Sequence, residues 1–173
     1  MNGEANKVRG YAGVKWGFKD PSVILVGEHH LEEDRIVVVN ELYQAGVLID
    51  DMVAMAGDLA QVHRVRRFFC DPKQPRFIER FRKAKLKAWP VDDEELAGIN
   101  LVAQRLRSRP PGLVISRECP NLVREFGLYR TPERDSNKPF RDRPLPFHNH
   151  AQDALRLLVL GMSYEAKPRV RWV

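Results

Sequence analysis

The chain has 173 residues, the size of one ordinary domain with a single core. It carries 29 Lys and Arg residues against 23 Asp and Glu residues, so its formal charge of +6 favours a polyanionic partner such as nucleic acid. A hydrophobic content of 43% argues against a disordered chain. No apolar stretch approaches the ~20 residues that span a bilayer, and no Walker-type phosphate loop is present, so neither a membrane partner nor ATPase activity is expected.

Three β-rich runs open the chain and are separated by short polar connections. They cover Tyr11–Phe18, Ser22–Glu28 and Arg35–Tyr43. Successive strands with short connections predict an antiparallel meander.

The hydrophobic period changes after the third run, from that of strands to that of helices. Helices are predicted around residues 48–62, 77–86, 96–106, 121–126 and 151–162, and further strands at 65–70, 88–91 and 113–116. This order predicts an α/β domain with a mixed central sheet, an antiparallel meander plus parallel strands, flanked by helices. The ribonuclease H-like fold is one known solution of this order. A long polar loop over 130–146 is the one irregular segment.

Two carboxylates stand at the ends of predicted elements. Asp71 follows a strand in Phe-Phe-Cys-Asp-Pro, and Asp153 lies near the start of the last helix. Magnesium and manganese prefer oxygen ligands, and two-metal nucleases collect carboxylates from distant points of the chain. An isolated Asp in either place is also a common cap or turn former, and spacing alone leaves both interpretations open.

Three segments carry distinctive strings: Tyr11–Pro21, Phe69–Pro72 and Asn149–Arg156, the last containing the specific string Asp-Ala-Leu-Arg. Together they resemble the nuclease domain of the large terminase subunit of tailed bacteriophages. Segments 95–105 and 112–125 are similar to later elements of that family. The resemblance covers nearly the whole chain in the family's order.

The resemblance implies a ribonuclease H-like fold and a single nuclease domain over residues 1–173, with the N-terminal ATPase motor outside them. It implies a Mg²⁺- or Mn²⁺-dependent endonuclease that cuts concatemeric viral DNA during packaging by two-metal phosphodiester hydrolysis. Double-stranded DNA, the ATPase motor domain of the same protein, the portal and the small terminase subunit are the implied partners. The implied location is the cytoplasm of the infected bacterial host.

One position departs from the family's pattern. The family's first strand carries an Asp before Trp-Gly that is expected to bridge metal ions, and this sequence has Lys15 there. A cation cannot ligate a metal, so we expect Lys15 to neutralise Asp71 and Asp153 and to impair metal affinity and cleavage. In the alternative, a local shift lets Asp20 supply the missing carboxylate. Asn149 also stands where family members often have an acid.

His150 is a further candidate metal ligand, with an ordinary residue of a helix start as the alternative. Trp16 and Trp89 are expected in the core rather than as base-stacking platforms.

Basic residues cluster around Asp71 and in the long loop. Such runs usually form a solvated helix face, but cations beside a nuclease site also hold DNA phosphates without reading sequence. We predict DNA contacts from both sets, and the family resemblance implies that the loop folds as a hairpin over the cleft. The first set is Arg64, Arg66, Arg67, Lys73, Arg76, Arg80, Arg82, Lys83, Lys85 and Lys87, and the second is Arg130, Arg134, Lys138, Arg141 and Arg143.

Two other functions remain open at this stage. One is a Holliday-junction resolvase or related recombination nuclease of the same architecture. The other is a non-catalytic module that binds DNA or packaging partners, which Lys15 favours.

Overall fold

A six-stranded mixed sheet forms the centre of the computed structural model, which describes residues 7–92, 94–128 and 149–166. Its strands are β1 (Val8–Lys15), β2 (Ser22–His30), β3 (Arg35–Gln44), β4 (Val65–Cys70), β5 (Ala88–Pro90) and β6 (Leu113–Ile115). Their order across the sheet is β5-β4-β1-β2-β3-β6. The first three strands pair antiparallel, and each later strand runs parallel to its neighbour. The predicted meander with added parallel strands is therefore confirmed.

The first strand is shifted from its prediction, which placed it over residues 11–18. It ends at Lys15, and the chain then bends sharply at Gly17. The Gly17 amide donates to Ser22 Oγ at 3.1 Å, and that hydroxyl donates back to the Gly17 carbonyl at 2.9 Å. A Cβ on Gly17 would lie 2.2 Å from the Asp20 carbonyl oxygen, so only glycine fits this bend. The apolar pattern continued past the point where strand pairing stops.

Helices cover both faces of the sheet. They are α1 (Ile49–Val62), α2 (Pro75–Lys83), α3 (Glu95–Arg107), α4 (Pro120–Leu128) and α5 (His150–Ala166). One core layer joins α3, α4 and α5 to the sheet, and a second layer joins α1 and α2 to its other face. Within the described ranges, no helix is long and apolar enough to cross a lipid bilayer.

Helix α5 lies directly against the central strands because two glycines remove the side chains between them. A Cβ on Gly13 would approach the Ala154 carbonyl oxygen to 2.0 Å, and a Cβ on Gly161 would lie 2.2 Å from the Phe69 ring. The contact at Gly13 sets the N-terminal half of α5 over β1. It thereby brings Asp153 to the end of that strand.

A buried carboxylate from α4 caps the start of α5. Glu125 is fully buried and accepts hydrogen bonds from the Ala151 and Gln152 amides at 2.7 and 3.0 Å. The Tyr43 hydroxyl donates to its other oxygen at 2.9 Å. Helix amides at an N-terminus lack partners within the helix and favour negative charge, so Glu125 ties α4 to the helix that carries Asp153.

Burial raises the pKa of Glu125 above its ordinary value of 4.5, although the hydrogen bonds from Gln152, Tyr43 and Ala151 oppose the shift. The folded state therefore binds this proton more tightly than the unfolded chain, and that contribution to stability is lost as the pH rises from 4.5 through the folded-state pKa. We expect the wild type to lose stability over this range relative to Glu125→Gln, measured by urea unfolding at each pH. A stability difference that is constant with pH would contradict this account.

Candidate functional site

Three charged side chains meet where β1 and β4 end. The parallel pairing of these strands sets Val14 beside Cys70, and the Asp71 amide donates to the Val14 carbonyl at 3.0 Å. Lys15 Nζ lies 3.2 Å from Asp71 Oδ2 and 3.9 Å from Asp153 Oδ2. The fold thus brings together Asp71 and Asp153, the two carboxylates that the sequence offers as candidate metal ligands, with the Lys15 ammonium between them.

The Asp71 carboxylate is held on both of its oxygens. Oδ1 accepts the Lys73 amide at 3.0 Å, in the short turn that Asp commonly forms with its own backbone, and Oδ2 accepts from Lys15. The Trp16 indole donates to the Asp71 carbonyl at 2.9 Å, and only 8% of the Asp71 side chain is exposed. This carboxylate is therefore fixed and largely shielded from water.

Asp153 is held by a second cation, Arg156, one helical turn later on α5. Arg156 Nη1 lies 3.0 Å from Asp153 Oδ1, and its side chain is 6% exposed. Gly98 on α3 makes room for it, because a Cβ there would lie 2.1 Å from Arg156 Cγ. Lys15 and Arg156 together balance the charges of Asp71 and Asp153, so the cluster has no net negative charge to attract a divalent cation.

Asp20 and His150 stand apart from this cluster as a loose pair. His150 Nε2 lies 4.0 Å from Asp20 Oδ1, and the Asp20 side chain is 75% exposed. In the described part of the chain, no group of three or more His, Cys, Asp or Glu side chains is placed to hold a metal ion. The residues that the structure describes therefore do not fit a two-metal site.

The basic residues near Asp71 divide into separate groups. Arg64 and Arg66 lie at the start of β4, the opposite end of the strand from Asp71. On α2, Arg80 pairs with Asp50 and Lys83 pairs with Glu79. Lys73 and Arg76 follow Asp71 at the start of α2, while Arg130, Arg134, Lys138, Arg141 and Arg143 lie outside the described residues.

Trp89 is not in the core, contrary to the prediction, whereas Trp16 is buried as predicted. Trp89 is 44% exposed, and the Arg67 guanidinium lies over its ring, 4.9 Å from the centroid. The reason is topological, because β5 is a three-residue strand at the edge of the sheet formed by the described residues. The next residue, Pro90, is the sequence signal for such an edge, since proline is confined to edge strands and bulges.

Comparison with solved structures shows that this fold is that of phage terminase nuclease domains. The large terminase of a thermophilic bacteriophage, solved in complex with ADP, matches at 19% identity with a TM-score of 0.77, over 87% of this chain and 39% of that one. The Mn-bound nuclease domain of the bacteriophage SPP1 large terminase matches at 19% identity and 0.70, over 91% and 89%. The Mg-bound nuclease of thermophilic phage G20c matches at 16% and 0.67, over 88% and 80%.

No family model and no curated protein matches the sequence. The structural likeness confirms the ribonuclease H-like architecture expected from the sequence. The chain spans 39% of the length of the ADP-bound large terminase.

Proposed function

We propose that this chain is the nuclease-fold domain of a phage large terminase, that it binds duplex DNA during packaging, and that its metal-dependent cleavage is weakened by Lys15. The observation that carries the proposal is the Lys15 ammonium, 3.2 and 3.9 Å from the two carboxylates that a metal would need. The shared fold supports a role in DNA packaging, and the ion pairs of Lys15 with Asp71 and Asp153 support weakened cleavage.

The electrostatics explain why metal binding is weak. A divalent ion at Asp71 and Asp153 has to displace the Lys15 ammonium from a largely shielded position, where unscreened like charges repel strongly. Among the residues that the structure describes, Asp71 and Asp153 are the carboxylates left as ligands, whereas Mg²⁺ and Mn²⁺ need a larger set of oxygens. In this proposal Asp71 and Asp153 are the residual ligands for Mg²⁺ or Mn²⁺, and Lys15 takes the place of the bound cation.

The proposed partners follow from the neighbours that share the fold. One of those neighbours is a large terminase with bound ADP, so we place an ATPase motor domain of the same protein among the partners. The portal and the small terminase subunit complete the proposed packaging assembly, in the cytoplasm of the infected host. Residues 1–173 form one nuclease domain in this assembly.

The proposal is tested by separating DNA binding from DNA cleavage. We expect the wild-type chain to bind a linear duplex with an affinity that falls steeply with salt, with a slope of about −0.9 per phosphate contacted. Supercoiled plasmid incubated with Mn²⁺ should stay largely intact under conditions in which a gel shift shows complete binding. Prompt linearisation would overturn the proposed weakening of cleavage, and a duplex affinity that is flat with salt would overturn DNA binding through phosphate contacts.

A competition experiment addresses the resolvase alternative. We expect a four-way junction to compete no better than a linear duplex of equal length. Strong preference for the junction would replace the packaging function with a recombination function for the same fold.

A further inference from the structure

Two adjoining cavities lie along the β5 edge of the sheet. Their volumes are about 440 and about 520 Å³, within the range of ligand-binding clefts, and Arg67 and Trp89 line both. Phe69, Val91 and Tyr164 give the first cavity an apolar and aromatic wall. The second has a mainly basic wall. We refer to the two cavities together as the edge groove.

An aromatic and guanidinium pair stands between the two cavities. Arg67 lies over the exposed Trp89 ring, and Arg67 Nη1 is held 3.4 Å from Glu165 Oε1 on α5. The pair is thus arranged before any ligand arrives. Aromatic rings such as indole and the guanidinium plane of arginine are protein surfaces on which nucleic-acid bases stack.

Five cations line the basic side of the edge groove, and one of them, Arg67, forms an ion pair with Glu165 on α5. Arg82 is fixed by donating from Nε to the Ala88 carbonyl at 2.9 Å. Among the described residues, Arg67 is the one of the five with an acidic partner. The cations are Arg66, Arg67, Arg82, Lys85 and Lys87. This excess of positive charge suits a phosphate-bearing ligand.

Strand register places the edge groove beside the site at Asp71. Phe69 packs against Gly161 of α5, so its side chain lies on the α5 face of the sheet. Trp89 is the register partner of Phe69 on the neighbouring strand and therefore lies on the same face. Asp71 follows Phe69 by two residues, and because side chains alternate along a strand it lies on that face as well. The strand rise and the spacing between strands put the Cα atoms of Trp89 and Asp71 about 8 Å apart. A DNA strand advances about 3.4 Å per nucleotide, so a few nucleotides connect the two places.

We propose that the edge groove binds an unpaired segment of DNA, with a base stacked on the Trp89 and Arg67 pair and the adjacent phosphates held by Lys85 and Lys87. The proposal deepens the proposed function and rests on it only for the identity of the nucleic acid as DNA. An unpaired segment is required because the faces of bases in a duplex are covered by their neighbours, whereas an unpaired base offers its face to an aromatic ring.

The test compares a labelled oligothymidylate with a duplex by fluorescence anisotropy at one salt concentration. We expect Trp89→Ala to weaken binding of the single strand about five- to 150-fold, as loss of one stacked base predicts. Trp89→Phe retains a ring and should restore most of the affinity. Phe18→Ala is the matched control, because Phe18 is an aromatic residue outside the edge groove with 81% exposure, and it should leave single-strand binding unchanged.

The duplex measurement separates this proposal from the proposed function. Duplex affinity should change less than about twofold in Trp89→Ala, since no base face is available there. If the wild type binds duplex but Trp89→Ala leaves the single-strand affinity unchanged, the stacking proposal is overturned and the proposed function stands. If the wild type binds neither form, both fail.

Two further measurements keep the proposal testable if Trp89→Ala unfolds. Quenching of tryptophan fluorescence by the oligothymidylate should be largely lost in Trp89→Phe, and the double variant Lys85→Glu, Lys87→Glu should weaken single-strand binding at least tenfold. Unchanged quenching in Trp89→Phe would overturn the stacking contact. Competition by free thymidine monophosphate as strong as that by the oligonucleotide, at equal nucleotide concentration, would overturn an extended strand as the ligand.

Discussion

Replacing Lys15 with aspartate is expected to give this chain metal-dependent DNA cleavage at least about a hundredfold faster than that of the wild type. The substitution removes the ammonium that lies 3.2 Å from Asp71 and adds a third carboxylate beside Asp71 and Asp153. Stabilisation of transition-state charge by a bound metal supplies several kcal/mol, and each ~1.4 kcal/mol is tenfold in rate. Conversion of supercoiled plasmid with Mn²⁺ measures the gain.

Lys15→Met is the matched control, because it removes the ammonium, retains a long apolar side chain and supplies no ligand. We expect it to cleave no faster than the wild type. The melting temperature gives a second measurement. Mn²⁺ should raise the melting temperature of Lys15→Asp, because a bound cation relieves the repulsion among its three carboxylates. It should leave the melting temperature of the wild type unchanged. If Lys15→Asp and Lys15→Met behave alike with Mn²⁺, the carboxylate added at position 15 does not complete the metal site.

Gly13→Ala is expected to destabilise the fold by about 3 kcal/mol or more, at the upper end of the usual cost of overpacking. The added methyl group would lie 2.0 Å from the Ala154 carbonyl oxygen and 2.9 Å from Leu158 Cβ, so α5 has to move away from β1. Backbone atoms are the obstacle, and a change of rotamer gives no relief. The shift in the urea unfolding midpoint measures this cost.

Gly57→Ala serves as its control, since the same substitution there meets no atom within 4 Å. Gly57 lies inside α1, where alanine is favoured over glycine by about 0.5–1 kcal/mol, so this variant should be slightly more stable than the wild type. Equal stability losses in the two variants would show that the close approach of α5 to β1 is absent.

Most of the architecture could be predicted because hydrophobic period and connection length are local properties of the sequence. The three antiparallel strands and the later alternation of helices and strands were recognised in this way. The apolar pattern predicts the end of β1 three residues too late because Trp16 and Phe18 are apolar, whereas the strand stops where its backbone pairing ends. Backbone pairing depends on the bend at Gly17, which the hydrophobic pattern does not encode.

The site was predicted in part. The family resemblance predicts Lys15 beside Asp71 and Asp153, and Lys15 Nζ forms ion pairs with both carboxylates. The cap supplied by Glu125 and the exposure of Trp89 depend on contacts between distant elements, so sequence period alone could not reveal them. Glu41 on β3 is a further contact of this kind, because its carboxylate accepts the Asn121 and Leu122 amides at 2.7 and 2.9 Å at the start of α4.

We propose that Lys15 occupies the place of a metal ion between Asp71 and Asp153. The proposed weakening of cleavage depends on this position of the Lys15 ammonium. A crystal of the wild-type chain soaked in Mn²⁺, with anomalous scattering recorded at the manganese edge, tests it most directly. We expect no manganese peak between the two carboxylates, and Lys15 Nζ in contact with Asp71. A manganese peak at that position, with the Lys15 side chain turned away, would contradict this expectation.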